Sequence, residues 1–286
     1  MRADRTSHAM LTLILVLSAT FFEEVSSVFT KKGITDRRES IYTAGFLNLF
    51  FVTLFFLVLI LYNGNFVFSL KSLPVFGARI LLEFVVLTIG LRAIARADRT
   101  TFSFIHTGTI PLLLAIDMFL GYAISPRQIA GIALFCGTIL IVALNRGIEK
   151  KGALDVILLT LFAAVTLSLF KYNITHYNSV EAEQFLDNLI LLVYFFFLNL
   201  FVYKENSFRA FRKVGFFAQS FTMGLAAVFV SFAYVYGAAS VITALKRIGE
   251  VSWSLLSGRI YFKEKHILIK FLLVCMLGLS IVLLLP

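Results

Sequence analysis

The sequence contains few of the residues that a soluble protein needs for its surface. Charged side chains make up only 15% of its 286 residues, and there are only 4 prolines. Hydrophobic residues reach 59%, with 32 phenylalanines among them, and the mean hydropathy is +0.91. Because soluble domains are about 45–50% apolar, this composition excludes a soluble globular protein. It predicts an integral, multi-pass membrane protein.

Cysteines and catalytic motifs are equally scarce. Cys136 and Cys275 each lie in an apolar run, without CxxC or Cys/His metal-ligand spacing, and are expected to be small buried side chains. The sequence has no HExxH, no GxSxG, no Gly-rich phosphate-binding loop and no His/Asp cluster on one helix face. We therefore predict that the protein is not an enzyme and has neither a metal nor a cofactor.

Acidic residues are the scarcer of the charged types, with 16 Asp and Glu against 26 Lys and Arg, for a net charge of +10. No interleaved basic and aromatic motif typical of nucleic-acid recognition is present. Basic residues that flank membrane spans and face anionic headgroups explain the excess better. Membrane lipid, and not nucleic acid, is the expected partner of these side chains.

Apolar stretches long enough to cross a bilayer occupy nearly the whole chain. A helical span needs roughly 20 mostly apolar residues, and its backbone is then satisfied within the helix. Stretches of that kind lie at approximately 10–30, 41–62, 74–95, 100–121, 127–145, 153–173, 184–203, 214–236, 238–260 and 267–285. The predicted fold class is an all-α membrane protein with ten transmembrane helices. Most Lys and Arg residues follow odd-numbered spans, which places those links in the cytoplasm and both termini outside.

An internal repeat relates the fourth span to the ninth. When the two are aligned, Gly108-Thr109-Ile110 falls on Gly249-Glu250-Val251, and His106 falls on Arg247. This alignment predicts two five-helix halves, 1–147 and 148–286, with opposite orientations in the membrane because each half has an odd number of spans. Inverted repeats of this kind are a recurring plan of secondary transporters, with the substrate site near the midplane between the halves.

The ninth span carries three charged residues away from its ends. If it begins near residue 238, Lys246 and Arg247 lie roughly 12–14 Å inside, and Glu250 is close enough in sequence to share their face of the helix. A charge at that depth is costly unless it is paired or faces a cavity, although snorkelling is an alternative. One carboxylate cannot neutralise two cations, so a surplus positive charge is expected. Its natural complement is an anionic substrate.

Other polar residues are candidates for the same site or for ion coupling. The further candidate substrate-binding residues are Lys171, His106 and Tyr234. The candidate coupling or ion-pair residues are Glu23, Glu24, Arg79 and Glu83, of which the last two could neutralise each other at i, i+4. Protons are a candidate coupling ion through the carboxylates. Asp117 and Asp187 are expected near helix ends, in contact with water.

The sequence resembles the drug/metabolite transporter superfamily, in particular its EamA-like branch. The most specific part is SVITALKRIGEVSWSLLSGRIYFKEKHILIKFLLVCMLGLSIVLLL, which is similar to the family's closing helix pair, with Gly258 and Glu264 ending the ninth helix. The first half departs from that ending, with GYAIS where an acidic residue is usual. The resemblance implies cytosolic termini, against the charge distribution, and a bacterial-type plasma (inner) membrane is the expected location.

The adjacent pair Lys246-Arg247 also resembles the ninth helix of the sugar-phosphate and nucleotide-sugar branches. In the sugar-phosphate transporters this pair binds the phosphate of the substrate. The resemblance therefore implies that Lys246 and Arg247 bind an anion, with Lys171 as a third cation.

Three functions follow as hypotheses. The first is alternating-access transport of a small organic anion, such as a phosphorylated or carboxylated metabolite. The second is proton-coupled export of amino acids or cationic drug-like compounds. The third is a non-transporting membrane scaffold subunit, for which the charged residues of the ninth span should be fully paired or face lipid.

Overall fold

A computed structural model of the protein shows an all-helical chain over the residues that it describes. Those residues are 2–35, 40–96, 102, 105–146, 152–204, 206–262, 276, 279–280 and 282–284. Within them, every regular secondary-structure element is a helix.

Nine principal helices follow one another with short links. The first five are α1 (Arg2–Thr35), α2 (Ile41–Asn63), α3 (Leu73–Arg96), α4 (Thr109–Phe119) and α5 (Pro126–Arg146). The next four are α6 (Ala153–His176), α7 (Val180–Phe197), α8 (Val214–Ala233) and α9 (Ala239–Phe262). A 3₁₀ turn precedes α3 at Leu70–Ser72, and α7 continues into a π-helical segment at Leu198–Tyr203.

Local capping residues define several of these boundaries. Ser40 begins α2 by accepting a hydrogen bond from the Thr43 backbone N–H at 3.1 Å, and Ser179 begins α7 in the same way from Ala182 at 3.3 Å. Gly64 ends α2 with φ +64°, in the left-handed region that a residue with a side chain rarely adopts. These signals explain why the helix boundaries lie close to those expected from the apolar runs.

Six helices within the described residues are long and apolar enough to cross a membrane. They are Met10–Thr30, Tyr42–Asn63, Leu70–Gly90, Ala153–His176, Val180–Tyr203 and Val214–Ala233. They indicate a multi-pass integral membrane protein, as the composition predicts.

Four of the ten predicted spans are not among these six helices. The fifth and the ninth coincide with α5 and α9, which the structure describes as helices. The fourth, predicted over 100–121, is described only in part, and the described part contains the apolar helical stretch Ile105–Phe119. The tenth, predicted over 267–285, falls mostly outside the described residues, as do Cys275 and Glu264. Gly258 lies inside α9, which continues to Phe262.

Helices from the first half of the chain pack mainly against helices from the second half. The main pairs are α1 with α8, α1 with α9, α2 with α7, α2 with α8, α3 with α6, α4 with α6, and α4 with α9. Gly224 allows one close approach, because a Cβ there would lie 2.9 Å from both the backbone carbon and the Cβ of Phe51 on α2. Halves that interleave in this way place inter-helix sites between residues distant in sequence.

The first half of α9 lies at the centre of the largest apolar core. Val241, Ala244, Leu245 and Ile248 are all buried, and they belong to the same cluster as Leu113 of α4. Because lipid tails are as apolar as these side chains, their contribution inside a membrane comes from close van der Waals packing between the helices. The packing therefore holds the charged residues of α9 in a defined position.

Candidate substrate-binding site between α1 and α9

The charged residues of α9 form a four-residue cluster with a glutamate from α1. Lys246 Nζ lies 2.9 Å from Glu23 Oε2 and 3.6 Å from Glu250 Oε1. Arg247 Nη1 donates to Glu250 Oε2 at 2.6 Å. We call Glu23, Lys246, Arg247 and Glu250 the α1–α9 cluster.

The α1–α9 cluster balances two cations with two carboxylates. The surplus positive charge predicted from α9 alone is therefore wrong, because Glu23 of α1 supplies the second negative charge. The side chains remain partly open, with Lys246 19%, Arg247 16%, Glu23 26% and Glu250 24% exposed. A cluster that is paired but accessible can exchange one of its partners for a ligand.

Close packing of α1 on α9 brings Glu23 to Lys246. At Gly249 an added Cβ would lie 2.5 Å from Thr20 Oγ1, so only glycine permits this helix separation. Trp253 extends the contact one turn further, since its Nε1 donates to the Leu17 carbonyl at 3.3 Å. The α1–α9 cluster therefore depends on a glycine that has no charge of its own.

Gly249→Ala tests this dependence. Alanine favours a helix over glycine by about 1 kcal/mol, but overpacking against Thr20 costs about 1–3 kcal/mol, so we expect net destabilisation or loss of the Lys246–Glu23 pair. Unfolding in mixed micelles, followed by circular dichroism, measures the free energy. Gly77→Ala on α3 is the control: a Cβ there meets nothing within 4 Å, so that variant should be at least as stable as the wild type. Equal stability of both variants would contradict the packing argument.

Tyr234 and His106 lie beside the α1–α9 cluster and are buried. The Tyr234 hydroxyl is 2.9 Å from Thr243 Oγ1, on the turn of α9 that precedes Arg247. His106 Nδ1 lies 3.3 Å from Thr160 Oγ1, and Lys246 and Arg247 are among its charged neighbours. Both residues are thus positioned next to the cluster.

Lys171, which the family resemblance implies as a third cation of the substrate site, contacts the end of α8. Its Nζ donates to the Tyr234 carbonyl at 2.6 Å, at the carboxyl end of α8, where a cation also meets the favourable end of the helix dipole. Its side chain also lies over the Tyr122 ring, 5.8 Å from the centroid. Among the described contacts, none joins Lys171 to Lys246 or Arg247. Tyr234 contacts Lys171 through its carbonyl and Thr243 of α9 through its hydroxyl.

Asp117 is buried, and its expected position in water is wrong. Its side chain is 0% exposed, and Oδ2 accepts from the Ser240 backbone N–H at 2.7 Å. A carboxylate at the amino end of α9 satisfies an otherwise unpaired N–H group and complements the helix dipole. Together with Lys171 it fixes the junction between α8 and α9. Sequence spacing could not reveal this, because the cap comes from a helix more than a hundred residues earlier.

The predicted Arg79–Glu83 pair is replaced by contacts to another helix. Arg79 Nη1 lies 2.9 Å from Glu183 Oε1, and Nη2 lies 2.7 Å from Asp187 Oδ2. Glu83 remains a charged neighbour of Arg79, one turn further along α3. Asp187 is only 3% exposed, so its expected position in water is also wrong. This second group belongs to α3 and α7, away from the α1–α9 cluster.

Glu24 is half-buried on α1, next to Glu23. Cys136 is half-buried at the edge of the main core. In the part of the chain that the structure describes, no group of three or more His, Cys, Asp or Glu residues is placed to hold a metal ion.

A mostly apolar cavity opens at the helix ends close to the α1–α9 cluster. It has a volume of about 630 Å³ and lies between the amino-terminal part of α1, the α4–α5 link and the start of α9. Among its lining residues are Thr12, Arg127, Gln128, Tyr236 and Leu245. Leu245 is the residue before Lys246 on α9, although none of the four residues of the α1–α9 cluster lines the cavity.

Comparison with known proteins gives the fold but no family. No family model matches the sequence, and no curated protein sequence matches it either. Among solved structures, one described as "Crystal structure of protein" superposes with a TM-score of 0.68 and 12% sequence identity, over 98% of this chain and 96% of that one. This similarity shows that nearly the whole chain has the architecture of a known protein structure.

Proposed function

We propose that the chain is a secondary transporter with ten transmembrane helices in two inverted five-helix repeats, 1–147 and 148–286. The packing pattern supports the repeat. If the two halves are repeats, each helix corresponds to the helix five positions away, so that α1 corresponds to α6, α3 to α8 and α4 to α9. The α1–α8 pair then corresponds to α6–α3, and the α1–α9 pair corresponds to α6–α4. All four of these helix pairs are in contact. The pairs α2–α7 and α4–α9 each join two corresponding helices, and both pairs are also in contact. Inverted repeats with such a relation surround the substrate sites of secondary transporters.

The α1–α9 cluster supports a small organic anion as the substrate. The main evidence is that Lys246 and Arg247 pair with Glu23 and Glu250, whose side chains are about a quarter exposed. Arg247 Nε is also buried without a hydrogen-bond partner among the described residues, so one N–H of its planar fork is left for a ligand. Guanidinium groups bind carboxylate and phosphate in this way. The anion would take the place of Glu23 at Lys246.

The surroundings of the α1–α9 cluster fit alternating access. The cavity of about 630 Å³ reaches Leu245 from one end of the helices and would serve as the vestibule on that side. Binding that separates Glu23 from Lys246 removes the ionic contact between α1 and α9. A ligand shifts a conformational equilibrium only if it binds one conformation more tightly than the other. A substrate that breaks this contact would bind more tightly to the conformation in which α1 and α9 are apart. A bacterial-type plasma (inner) membrane is the proposed location.

Ligand stabilisation followed by uptake tests the proposal. Phosphorylated sugars, nucleotides, amino acids and cations are first screened for raised thermal stability of the purified protein, since a true ligand stabilises by mass action. The active compound is then radiolabelled and counterflow into proteoliposomes is measured. A Lys246→Ala, Arg247→Ala double variant should lose uptake, whereas Arg209→Ala, Lys213→Ala, a matched double variant of exposed basic residues, should retain it. Unchanged uptake by the first variant would overturn the site.

A second candidate substrate class follows from the equal numbers of carboxylates and cations in the α1–α9 cluster. A zwitterionic amino acid could bind Lys246 or Arg247 through its carboxylate and Glu23 or Glu250 through its ammonium group. The same screen distinguishes this substrate, and proton-coupled export predicts that collapse of an applied pH gradient abolishes accumulation. The pairing of the charged residues of α9 is what a non-transporting scaffold subunit predicts, and that function is favoured if no compound of the panel stabilises the protein or is taken up.

A further inference from the structure

The buried group between α3 and α7 holds more carboxylates than cations. Arg79 is 3% exposed and contacts Glu183 and Asp187, which are 0% and 3% exposed. Glu83 is a further charged neighbour on α3. One guanidinium therefore faces three carboxylates, which would leave two uncompensated negative charges if all were ionised. An uncompensated buried charge costs several kcal/mol, so the group needs a positive partner.

Glu183 is the carboxylate best suited to remain ionised. Its Oε1 accepts from Arg79 Nη1 and from Asn173 Nδ2, both at 2.9 Å. Its Oε2 accepts from Asn178 Nδ2 at 2.5 Å. Three N–H donors thus surround both oxygens of Glu183, an arrangement that stabilises an anion. Glu183 is the counter-charge of Arg79.

Asp187 lacks that support. Its Oδ2 accepts from Arg79 Nη2, but its Oδ1 is buried without a hydrogen-bond partner among the described residues. Asn173 Oδ1, in the same group and 0% exposed, is a second buried acceptor without a donor. Arg79 Nε is the single unpartnered donor there. Among the described residues of this group, two buried acceptor oxygens and one donor nitrogen thus have no hydrogen-bond partner, and the Asp187 oxygen is the one that could carry a proton.

We propose that Asp187 is a proton-binding site, with the proton on Oδ1. The neutral acid keeps the hydrogen bond from Arg79 to Oδ2 and removes one of the two uncompensated negative charges. The charged groups that face Asp187 are Arg79 and Glu83 of α3 and Glu183 of its own helix. The groups that α6 contributes are uncharged: they are Thr166 beside Glu83, the Phe170 ring over Arg79, and Asn173. Lys171, also on α6, donates instead to the Tyr234 carbonyl.

The proton site is separate from the proposed substrate site. It lies on α3, α6 and α7, whereas the α1–α9 cluster lies on α1 and α9. Contact between α3 and α6 also joins the two halves of the chain. If the chain transports a substrate as proposed, on which this one statement rests, Asp187 is the residue that couples proton movement to that transport. The presence of the bound proton itself does not depend on transport.

Infrared spectroscopy of the purified protein detects the proton directly. We expect the carbonyl band of a buried, protonated carboxylic acid near neutral pH, shifted in D₂O and lost as the pH is raised. Asp187→Asn should remove this band, because the amide imitates the neutral acid without a titratable proton. Glu181→Gln is the matched control, since Glu181 is also buried on α7 but hydrogen-bonds to Asn65 outside the group. Its spectrum should retain the band.

A second variant keeps the test decisive if Asp187→Asn does not fold. In Glu183→Gln the guanidinium loses its carboxylate contact at 2.9 Å and keeps Asp187 at 2.7 Å as the carboxylate that it contacts directly, so Asp187 should become the anion and the band should also fall. A wild-type spectrum without the band at neutral pH would overturn the proposal, as would a band unchanged in both variants. Loss of the band when sodium chloride replaces choline chloride would likewise overturn it, because a metal cation would then occupy the place of the proton.

Uptake measurements separate this proposal from the transport function. Wild-type protein with the band and gradient-driven uptake, together with an Asp187→Asn variant whose uptake no longer responds to the pH gradient, would support both. The band without uptake of any compound would support the proton site and count against transport. Uptake without the band would support transport and overturn the proton site.

Discussion

Replacing Arg79 with methionine is expected to lower the free energy of unfolding by about 3–5 kcal/mol, the cost of removing one partner from a buried ionic group. Methionine keeps the length of the side chain but leaves Glu183 without its counter-charge at 2.9 Å. The contact of the guanidinium with the Phe170 ring, 4.7 Å from the centroid, is lost as well. Equilibrium unfolding in SDS-containing mixed micelles, followed by circular dichroism, gives the change.

Arg96 on the same helix provides the control for this prediction. It pairs with Asp155 at 3.5 Å, but its side chain is 63% exposed, so Arg96→Met should change the free energy by no more than about 1 kcal/mol. A double variant Arg79→Met, Glu183→Gln should recover part of the loss, because the carboxylate that Arg79 contacts at 2.9 Å is then also removed. Similar costs for Arg79→Met and Arg96→Met would contradict the difference in burial on which the prediction rests.

The second large effect is expected from Lys246→Met in the α1–α9 cluster. Loss of the cation removes an anion-binding group and leaves Glu23 unpaired, so we expect uptake to fall on the order of 100-fold, about 2.8 kcal/mol at 1.4 kcal/mol per tenfold change. Stability should also decrease, by about 1–3 kcal/mol for a contacting pair. Uptake into proteoliposomes and unfolding in mixed micelles measure the two effects separately.

Adding Glu23→Gln to Lys246→Met separates folding from binding. The double variant has no unpaired carboxylate at this position, so stability should return close to that of the wild type. Uptake should remain low, because the cation that binds the substrate is still absent. Arg96→Met, Asp155→Asn, which removes an exposed ion pair, should leave uptake unchanged. Recovery of uptake in the Glu23, Lys246 double variant would show that Lys246 acts only in the structure.

The sequence predicts the class and much of the helical framework. Long apolar runs give spans such as 41–62 and 153–173, and the helices observed there are Ile41–Asn63 and Ala153–His176. This succeeds because helix formation and membrane insertion depend on contiguous residues. Capping by Ser40 and Ser179 is local in the same way.

For the candidate site as well, contacts within one helix could be predicted from the sequence, whereas contacts between helices could not. Contacts within one helix can be read from spacing, and the Arg247–Glu250 pair at i, i+3 is an example. The same spacing fails for Arg79 and Glu83, because the buried carboxylates of α7 bind the guanidinium instead. Spacing shows which pairs are within reach, but burial and competing partners determine which pairs form.

By itself, the sequence determined that this is a helical, multi-pass membrane protein with charged residues set deep in α9. Only the tertiary structure decided that Glu23 neutralises Lys246, that Asp117 caps α9 and that Asp187 is buried beside Arg79. Each of these contacts joins residues more than a hundred positions apart. They depend on how closely two helices approach, which a single glycine can set, as Gly249 does against Thr20. Hydropathy and local spacing contain no information about that approach.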